Sequence, residues 1–552
     1  MFLRTKGGSG PSGMDADGWK KIIFSKKFKQ SADDFCRALA NVAIKLSTKD
    51  DLTETLEAFL ACRLIPLDKN PGLRPIGIGE VVRRVVGKAI MNTFRDNVIE
   101  SVGSLQTCAG HEAGCEASVH AMREIFNEAD TEAVLLVDAS NAFNVINRQA
   151  FLHNIRIICP EIAIYVHNCY SKPSRLFVLG GTEISSSEGT TQGDPIAMAI
   201  YATATIPIIL LVLEVTDKLP NKTTKSVAYA DDLAAGGILK NLKIWWHQLL
   251  HFGPKFGYYP QPPKCWLIVK PEHIDTAKEL FADTNISITI DGRKHLGAAI
   301  GTDEYRDKYV VERLEKLKGE LRLLSRIANI DPQAAYCCFV KGFKNKFSYM
   351  MRTIPKISNL LKSIDDVVTT QFIPAITGGI YVNQEQRRLL SLPVKLGGLA
   401  IPIFSDISDN EFSFSVKISE NHVNGILAQQ RKYTKDSEMA AKKNDIKKMK
   451  KELNERILSE ISKTLSTEDS RLLQLSMENG ASTWLSTLPL AEEGYHLTKQ
   501  NFWDFVMVGS YQDYLEHVNV AHHFLLIMRY RARRVGSYHF AIMRSEMSRQ
   551  IY

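Results

Sequence analysis

Two adjacent carboxylates, Asp231 and Asp232, lie in segment 226–236 between two short runs of small apolar residues. This pattern predicts two strands joined by a tight turn, with both acids at its tip. Hairpin turns usually place Asp beside Gly or Asn, which supply positive φ, and neither stands next to this pair. Two ionised carboxylates about 4 Å apart repel each other by ~4 kcal/mol at an effective dielectric of ~20, so a nearby cation is expected. A hard divalent metal ion is the natural candidate.

A third acid, Asp138, closes the continuously apolar run 133–137. Such a run is typical of a strand that is buried on both faces. An acid at its end either caps the helix that follows, here at 139–143, or serves as a ligand at the rim of a sheet. Taken alone, Asp138 favours the cap; together with the two hairpin acids it favours the ligand.

A polar, glycine-containing segment at 187–195 lies between these acids and is followed by the apolar helical run 196–201. Asp194 and Pro195 suit the start of that helix, as its cap and its first residue. The loop can also serve a substrate, because glycine lets the backbone and the Gln192 amide approach a ligand closely. The segment therefore predicts a helix start and, beside it, a candidate binding loop.

Three motifs follow one another along the chain: Asp138 with Phe143 five positions later, Gln-Gly-Asp-Pro at 192–195, and Tyr-Ala-Asp-Asp at 229–232. Each motif alone is weak, but the ordered set resembles the palm of a reverse transcriptase, in particular the non-LTR, LINE-like retrotransposon type. Other segments resemble further parts of that family, namely 64–76 and 106–111 its fingers, 257–265 the motif with the family lysine, 295–297 the primer-grip hairpin and 396–401 a strand beyond the thumb. The resemblance covers roughly residues 60 to 400.

The resemblance implies an RNA-directed DNA polymerase that adds dNTPs to a primer 3′-hydroxyl by phosphoryl transfer assisted by two Mg²⁺ ions, for which Mn²⁺ can substitute. Asp138, Asp231 and Asp232 are then the metal-binding and catalytic acids. Lys264 is a candidate proton donor to pyrophosphate, although the two prolines before it depart from the family pattern. The residues that the resemblance implies for dNTP binding are Lys69, Arg74, Ala139, Phe143, Gln192 and Gly193.

Phe143 is the residue that would choose the sugar. In the family, an aromatic side chain at this position stands under the incoming ribose and clashes with a 2′-hydroxyl, so deoxynucleotides are expected. The alternative is a core Phe on a helix face. Arg74 would meet the triphosphate through a bidentate fork that a lysine cannot reproduce.

The composition, 45% apolar and 24% charged residues, is ordinary for a folded protein. A net charge of +8 suits a polyanionic partner without requiring one. The partners that the resemblance implies are an RNA template, a DNA primer or RNA–DNA hybrid, and dNTPs. No membrane is expected, because Thr203, Thr205 and Pro207 interrupt the longest apolar run before it reaches the ~18 to 20 residues of a spanning helix.

Nine cysteines without a secretory-type leader predict reduced thiols in an intracellular protein, nuclear or cytoplasmic and not secreted. Cys108, His111, Cys115 and His120 are closely spaced, but a zinc site there is disfavoured because the Cys-x-x-Cys spacing is absent.

The expected fold class is α+β: a right-hand polymerase with fingers, a palm built on an antiparallel sheet, a helical thumb and a mostly helical C-terminal extension. The expected divisions are a flexible leader at 1–13, an N-terminal helical segment at 14–60, fingers at 61–132, a palm with fingers insertions at 133–302, a thumb at 303–400 and an extension of unknown function at 401–552. Within the extension, the lysine-rich segment 430–465 could be an RNA-binding helix, a short coiled coil or a solvated linker helix, of which the last is favoured.

Two other functions stay open. One is a domesticated or truncated, catalytically weak nucleic-acid-binding protein that keeps the reverse-transcriptase fold, which the three intact acids disfavour. The other is an RNA-dependent RNA polymerase, which Phe143 disfavours.

Overall fold

The computed structural model describes residues 8–50, 56–69, 72–178, 180–219, 224–478 and 481–508. The chain divides into two compact units. Unit 1 contains the residues up to 306 together with 415–438, and unit 2 contains 307–414 and the residues from 439 onward. The division at 306 lies close to the palm–thumb boundary predicted at 302. Residues 415–438, predicted to belong to the C-terminal extension, return instead to unit 1, where Val423 and Ile426 join a core cluster.

The described residues of unit 1 form three sheets, with strand orders β6-β7-β3-β8-β9, β2-β1-β4-β5 and β10-β11. The five-stranded sheet is antiparallel except for its last pair, β8 and β9. The strands are β1 Cys62–Asp68, β2 Leu73–Gly79, β3 Ala133–Val137, β4 Ser174–Val178, β5 Glu183–Ser186, β6 Lys225–Tyr229, β7 Asp232–Gly237, β8 Trp266–Val269, β9 Ser287–Thr289, β10 Gly292–His295 and β11 Ala298–Gly301.

The helices up to the end of the last sheet surround these strands. They are α1 Ala16–Ile23, α2 Lys29–Thr48, α3 Glu57–Leu60, α4 Val81–Thr93, α5 Arg95–Val102, α6 Gly114–Asn127, α7 Ala142–Val145, α8 Arg148–Ile158, α9 Pro160–Tyr170, α10 Ala197–Thr216, α11 Leu239–Phe252 and α12 Ile274–Leu280.

The central strand β3 is buried along its whole length, which explains its uninterrupted apolar sequence. Val134 and Leu136 face α6 on one side of the sheet, while Leu135 and Val137 face α10 and α11 on the other. The neighbouring strand β7 is made of small residues because α6 lies close above it: a Cβ on Gly236 would come within 2.4 Å of the Ile125 side chain. Helices thus cover both faces of the sheet.

Helix α10 corrects the prediction that no apolar segment is long enough to span a membrane. Among the described helices it alone has the length and composition to do so, and 67% of its most apolar window is buried inside the protein. Thr203 and Thr205 do not interrupt it, because their hydroxyls donate to backbone carbonyls one turn earlier, and Pro207 lies inside it. Burial as a core helix accounts for its apolar sequence.

Residues 8–13 correct the prediction of a flexible leader. The Ser12 amide and hydroxyl donate to the Glu80 carboxylate at 2.7 and 2.8 Å, and Arg84 donates to the Gly8 carbonyl at 2.9 Å. Charged side chains at the start of α4 therefore fix a glycine-rich segment whose own sequence favours coil. Residues 1–7 lie outside the described residues.

Unit 2 is helical in its described part. Its helices are α13 Asp303–Ala328, α14 Pro332–Lys341, α15 Ser348–Thr353, α16 Ser358–Val367, α17 Ile373–Ile376, α18 Gln384–Ser391, α19 Phe404–Leu427, α20 Met439–Ser462, α21 Thr467–Met477 and α22 Lys499–Val508, of which α13 begins and α19 ends in unit 1. Asp331 caps α14, and its side chain accepts a hydrogen bond from the Ala334 amide at 2.9 Å. Along α13, Leu314 and Leu321 are buried, whereas Val311 is exposed.

The lysine-rich helix α20 is mostly exposed, and Ile461 near its end is buried. Lys450 pairs with Glu411 on α19, while Lys448 and Lys451 pair with glutamates one turn further along α20. These contacts agree with a solvated helix whose charges are balanced locally.

Candidate active site

The three predicted acids meet at one end of the five-stranded sheet. Tyr229 pairs with Asp232 across the β6–β7 hairpin, so Ala230 and Asp231 form its two-residue turn. Strand β3 runs antiparallel to β7 with Val137 opposite Leu233. One step further along this register, Asp138 faces Asp232. A helix cap is excluded for Asp138, because α7 begins only at Ala142, after Asn141.

The charges of the acids and of nearby cations shift the pKa values of Asp231 and Asp232. Burial raises the pKa of Asp231 and the Asp138 charge raises it further, whereas Arg74 and Lys69 lower it. Burial, followed by the charges of Asp231 and Asp138, raises the pKa of Asp232 to about 6, and Lys294 acts in the opposite direction. Asp232 is nevertheless exposed to solvent by its accessible surface. The acids are therefore close enough to disfavour one another's ionised forms.

Such a site fits a hard divalent cation, because carboxylate oxygens are its preferred ligands and a cation would relieve their repulsion. In the part of the chain that the structure describes, no group of three or more His, Cys, Asp or Glu residues is arranged to hold a metal ion. Mg²⁺ commonly takes only one or two protein carboxylates and completes its shell with water and phosphate oxygens. An open pair such as Asp138 and Asp231 is thus a suitable donor set.

Backbone contacts position Asp138 beyond the end of β3. The Gln261 amide donates to the Asp138 carbonyl at 2.9 Å, and Ala139 forms an isolated bridge with Pro260. The Ser140 amide donates to the Tyr259 carbonyl at 2.8 Å. The segment 257–265, singled out in the sequence as a motif, therefore continues the sheet beside Asp138.

The loop that carries Gln192 and Gly193 lies directly on strand β2. The Gly77 amide donates to the Gln192 carbonyl at 2.8 Å. Gly193 has φ +112°, and a Cβ there would come within 2.6 Å of the Gly77 carbonyl oxygen. Glycine at both positions thus lets the loop approach the strand that also carries Arg74.

The same loop contacts Phe143 at its other end, where the Thr190 amide donates to the Phe143 carbonyl at 2.7 Å. The Phe143 ring is half-buried and stacks on Tyr201 of α10, with the ring centroids 4.4 Å apart. Phe143 is therefore partly a core residue, as the alternative interpretation predicted. Tyr201 itself lies near the acids, since Asp231 and Asp232 contribute, after burial, to raising its pKa.

The predicted cations differ in their relation to the acids. Lys69 and Arg74 lie near the tip of the β1–β2 hairpin and are exposed. Their charges lower the pKa of Asp231. Lys264 ends an exposed 3-10 turn, and its role stays a prediction. Lys294, on β10, lowers the pKa of Asp232. The sequence did not predict Lys294 as a site residue, although the motif at 295–297 begins with its neighbour His295.

No family model and no curated protein matches the chain. Among solved structures, the chain is similar to apo telomerase from Candida tropicalis truncated from its C-terminal domain, at 11% sequence identity with a TM-score of 0.31. The similarity covers 43% of this chain and 56% of the telomerase chain. The described chain itself is a mixed α/β structure in which helices predominate.

Proposed function

We propose that this protein is an RNA-directed DNA polymerase, as the order of its sequence motifs suggests. The observation that carries the proposal is the convergence of Asp138, Asp231 and Asp232 within a neighbourhood that also holds Arg74 and Lys69. Carboxylates beside exposed cations form a site in which a metal-bound triphosphate can be held. The non-LTR retroelement type is the finer part of the same proposal and rests on the motifs alone.

Each residue then has a defined task. Asp138 and Asp231 would hold Mg²⁺, with Asp232 supporting the same site; the bound ion supplies positive charge against the phosphate oxygens. Arg74 and Lys69 bind the triphosphate from the β1–β2 hairpin, Arg74 through its bidentate fork. Ala139, Gln192 and Gly193 line the nucleotide pocket.

The remaining tasks concern the sugar and the leaving group. Phe143, supported by Tyr201, lies under the sugar and excludes a 2′-hydroxyl. Lys264 remains a candidate proton donor to pyrophosphate. The nucleic-acid partners are an RNA template and a DNA primer or hybrid, which such enzymes contact mainly through backbone and shape.

Mg²⁺-dependent extension of a DNA primer on an RNA template tests the proposal. We expect extension with dNTPs by the wild type and a loss of several orders of magnitude in Asp231→Asn, because removing a metal ligand disrupts metal-assisted catalysis. The matched control is Asp291→Asn, the same exchange at an exposed turn of unit 1, which should retain full activity.

Three outcomes would contradict the proposal. Retained activity in Asp231→Asn would place the site elsewhere. Binding of the template–primer without extension by the wild type would favour the catalytically weak binding protein. Faster use of NTPs than of dNTPs would favour an RNA-dependent RNA polymerase.

A further inference from the structure

A single buried amide holds the tip of the acidic hairpin. Gln106 is 0% exposed. Its Oε1 accepts a hydrogen bond from the Ala230 amide at 2.9 Å, and its Nε2 donates to the Ala230 carbonyl at 3.1 Å. One side chain therefore satisfies both backbone polar groups of the residue that precedes Asp231.

Ala230 needs such support because its backbone is unfavourable. It has φ +55°, a region that residues with a Cβ rarely adopt, in a turn type where glycine is normally used. Ala230 is also buried, with 6% exposure, so its amide and carbonyl cannot turn to water instead. Without Gln106 the observed turn would combine a strained φ with the loss of two buried hydrogen bonds, leaving the Ala230 backbone with its contact to the Cys108 thiol.

Gln106 is itself held from two sides. Its backbone neighbours bond to strand β6: the Ala228 amide donates to the Leu105 carbonyl and the Thr107 amide donates to the Ala228 carbonyl, both at 2.8 Å. Its Nε2 also donates to the Thr205 hydroxyl of α10 at 3.0 Å. On the opposite side of the turn, the Tyr258 hydroxyl donates to the Asp231 carbonyl at 3.0 Å. The tip is thus clamped between elements that are distant in sequence.

We propose that Gln106 is a positioning residue, which fixes the Ala230 turn and thereby the place of Asp231 relative to Asp138. The catalytic consequence rests on the proposed function, whereas the clamp itself does not. Two carboxylates that bind one metal ion must be held at a defined distance from each other. Ala230 keeps its unfavourable backbone conformation, and so keeps Asp231 in place, only while Gln106 holds the turn.

The chain offers a matched control at the other end of the same strand. The Gln429 carboxamide accepts from the Ser226 amide at 2.9 Å and donates to the Ser226 carbonyl at 3.0 Å. The two hydrogen bonds are of the same kind, although they are only partly buried here, and Ser226 lies at the opposite end of β6 from the acids. Gln106→Met and Gln429→Met therefore remove equivalent bonds at two places.

Amide hydrogen exchange and primer extension on the full chain test the proposal together. We expect Gln106→Met to speed exchange at Ala230 and to lower kcat about 10- to 100-fold, with little change in the KM for dNTP. This factor corresponds to the cost of leaving a buried polar group without its hydrogen bond. Gln429→Met should speed exchange at Ser226 and leave kcat unchanged. Ala230→Gly, added to Gln106→Met, should restore much of kcat, because glycine adopts positive φ without steric cost.

Equal losses of kcat in both Gln variants, or no rescue by glycine, would reduce Gln106 to a purely structural residue and overturn the proposal. Unchanged exchange at Ala230 would overturn the clamp itself. A wild type without polymerase activity would refute the proposed function, while the exchange data would still decide on the clamp. Gln106→Asn keeps a carboxamide on a side chain that is one methylene shorter, and serves as the second variant if Gln106→Met does not fold. A loss of kcat is expected there too, and a variant without any loss would contradict the proposal.

Discussion

The Arg83 guanidinium and the Asp194 carboxylate form an ion pair at 2.6 Å in which both side chains are only 2% exposed. The Tyr170 hydroxyl donates to the same carboxylate oxygen at 2.8 Å, and the other oxygen accepts from the Ile196 amide just before α10. The pair therefore joins α4 to the loop that carries Gln192 and Gly193. The prediction that Asp194 caps α10 and that Pro195 is its first residue is wrong, because α10 begins at Ala197 with Ile196 as its N-cap and no side-chain cap.

Removing one partner of this buried pair should be costly. We expect Arg83→Met to lower the free energy of unfolding by about 3 to 5 kcal/mol, because the Asp194 charge would be left buried without its cation. Urea denaturation measures the change. The control is Arg175→Met, which breaks an exposed pair with Glu183 and should change stability little. Equal effects of the two variants would show that burial does not set the cost.

Asp232 should destabilise the metal-free protein at neutral pH. Its folded pKa of about 6 lies above the ~3.9 of an unfolded Asp, so the unfolded chain loses its proton first as the pH rises. Stability conferred by the protonated form is therefore lost between about pH 4 and pH 6 and stays lost above it. Asp232→Asn should be more stable than wild type at pH 7.5 by about 1 kcal/mol, allowing for solvent screening of this exposed side chain, and equally stable near pH 3. Thermal unfolding in EDTA at both pH values tests this, and a gain at pH 3 as large as that at pH 7.5 would exclude ionisation as the cause.

Mg²⁺ should stabilise the folded protein without any substrate. Binding to the folded state alone raises its stability by about 1.4 kcal/mol when free Mg²⁺ is about ten times its Kd. A rise in Tm with Mg²⁺ is expected for the wild type and for Asp291→Asn, and its loss for Asp138→Asn and Asp231→Asn. The same rise in Asp138→Asn as in wild type would show that this acid is not a ligand.

Phe143→Ala should raise the incorporation of ribonucleotides relative to deoxynucleotides, because the ring that stacks on Tyr201 would no longer occupy the space of a 2′-hydroxyl. The ratio of kcat/KM for NTP and dNTP in primer extension measures the change. Phe177→Ala, the same exchange on strand β4, is the control and should leave the ratio unchanged. Unchanged discrimination in Phe143→Ala would reject this role.

Gly193→Ala should weaken dNTP binding. The added Cβ would come within 2.6 Å of the Gly77 carbonyl oxygen at φ +112°, so the loop would have to move away from β2. Gly181→Ala tests the backbone strain alone, because Gly181 has φ +93° and no atom within 4 Å of the added Cβ. We expect a raised KM for dNTP only in the first variant; a similar rise in both would attribute the effect to strain.

The sequence alone determined where the acids lie along their own elements. Burial on both faces makes the apolar run of β3 recognisable, and the paired short runs around Asp231 predict a hairpin, since both signals come from neighbouring residues. The glycine-containing loop before α10 was recognisable for the same reason.

Only the tertiary structure decided which distant groups complete the site. Gln106 and Tyr258 hold the hairpin tip, and Arg83 pairs with Asp194 in the loop before α10. Lys294 lowers the pKa of Asp232. No spacing along the chain links any of these residues to its partner. The ordered segment 8–13 and the return of 415–438 to unit 1 escaped prediction likewise. Local patterns arise from contacts between sequence neighbours, whereas these pairings arise when the folded chain brings remote residues together.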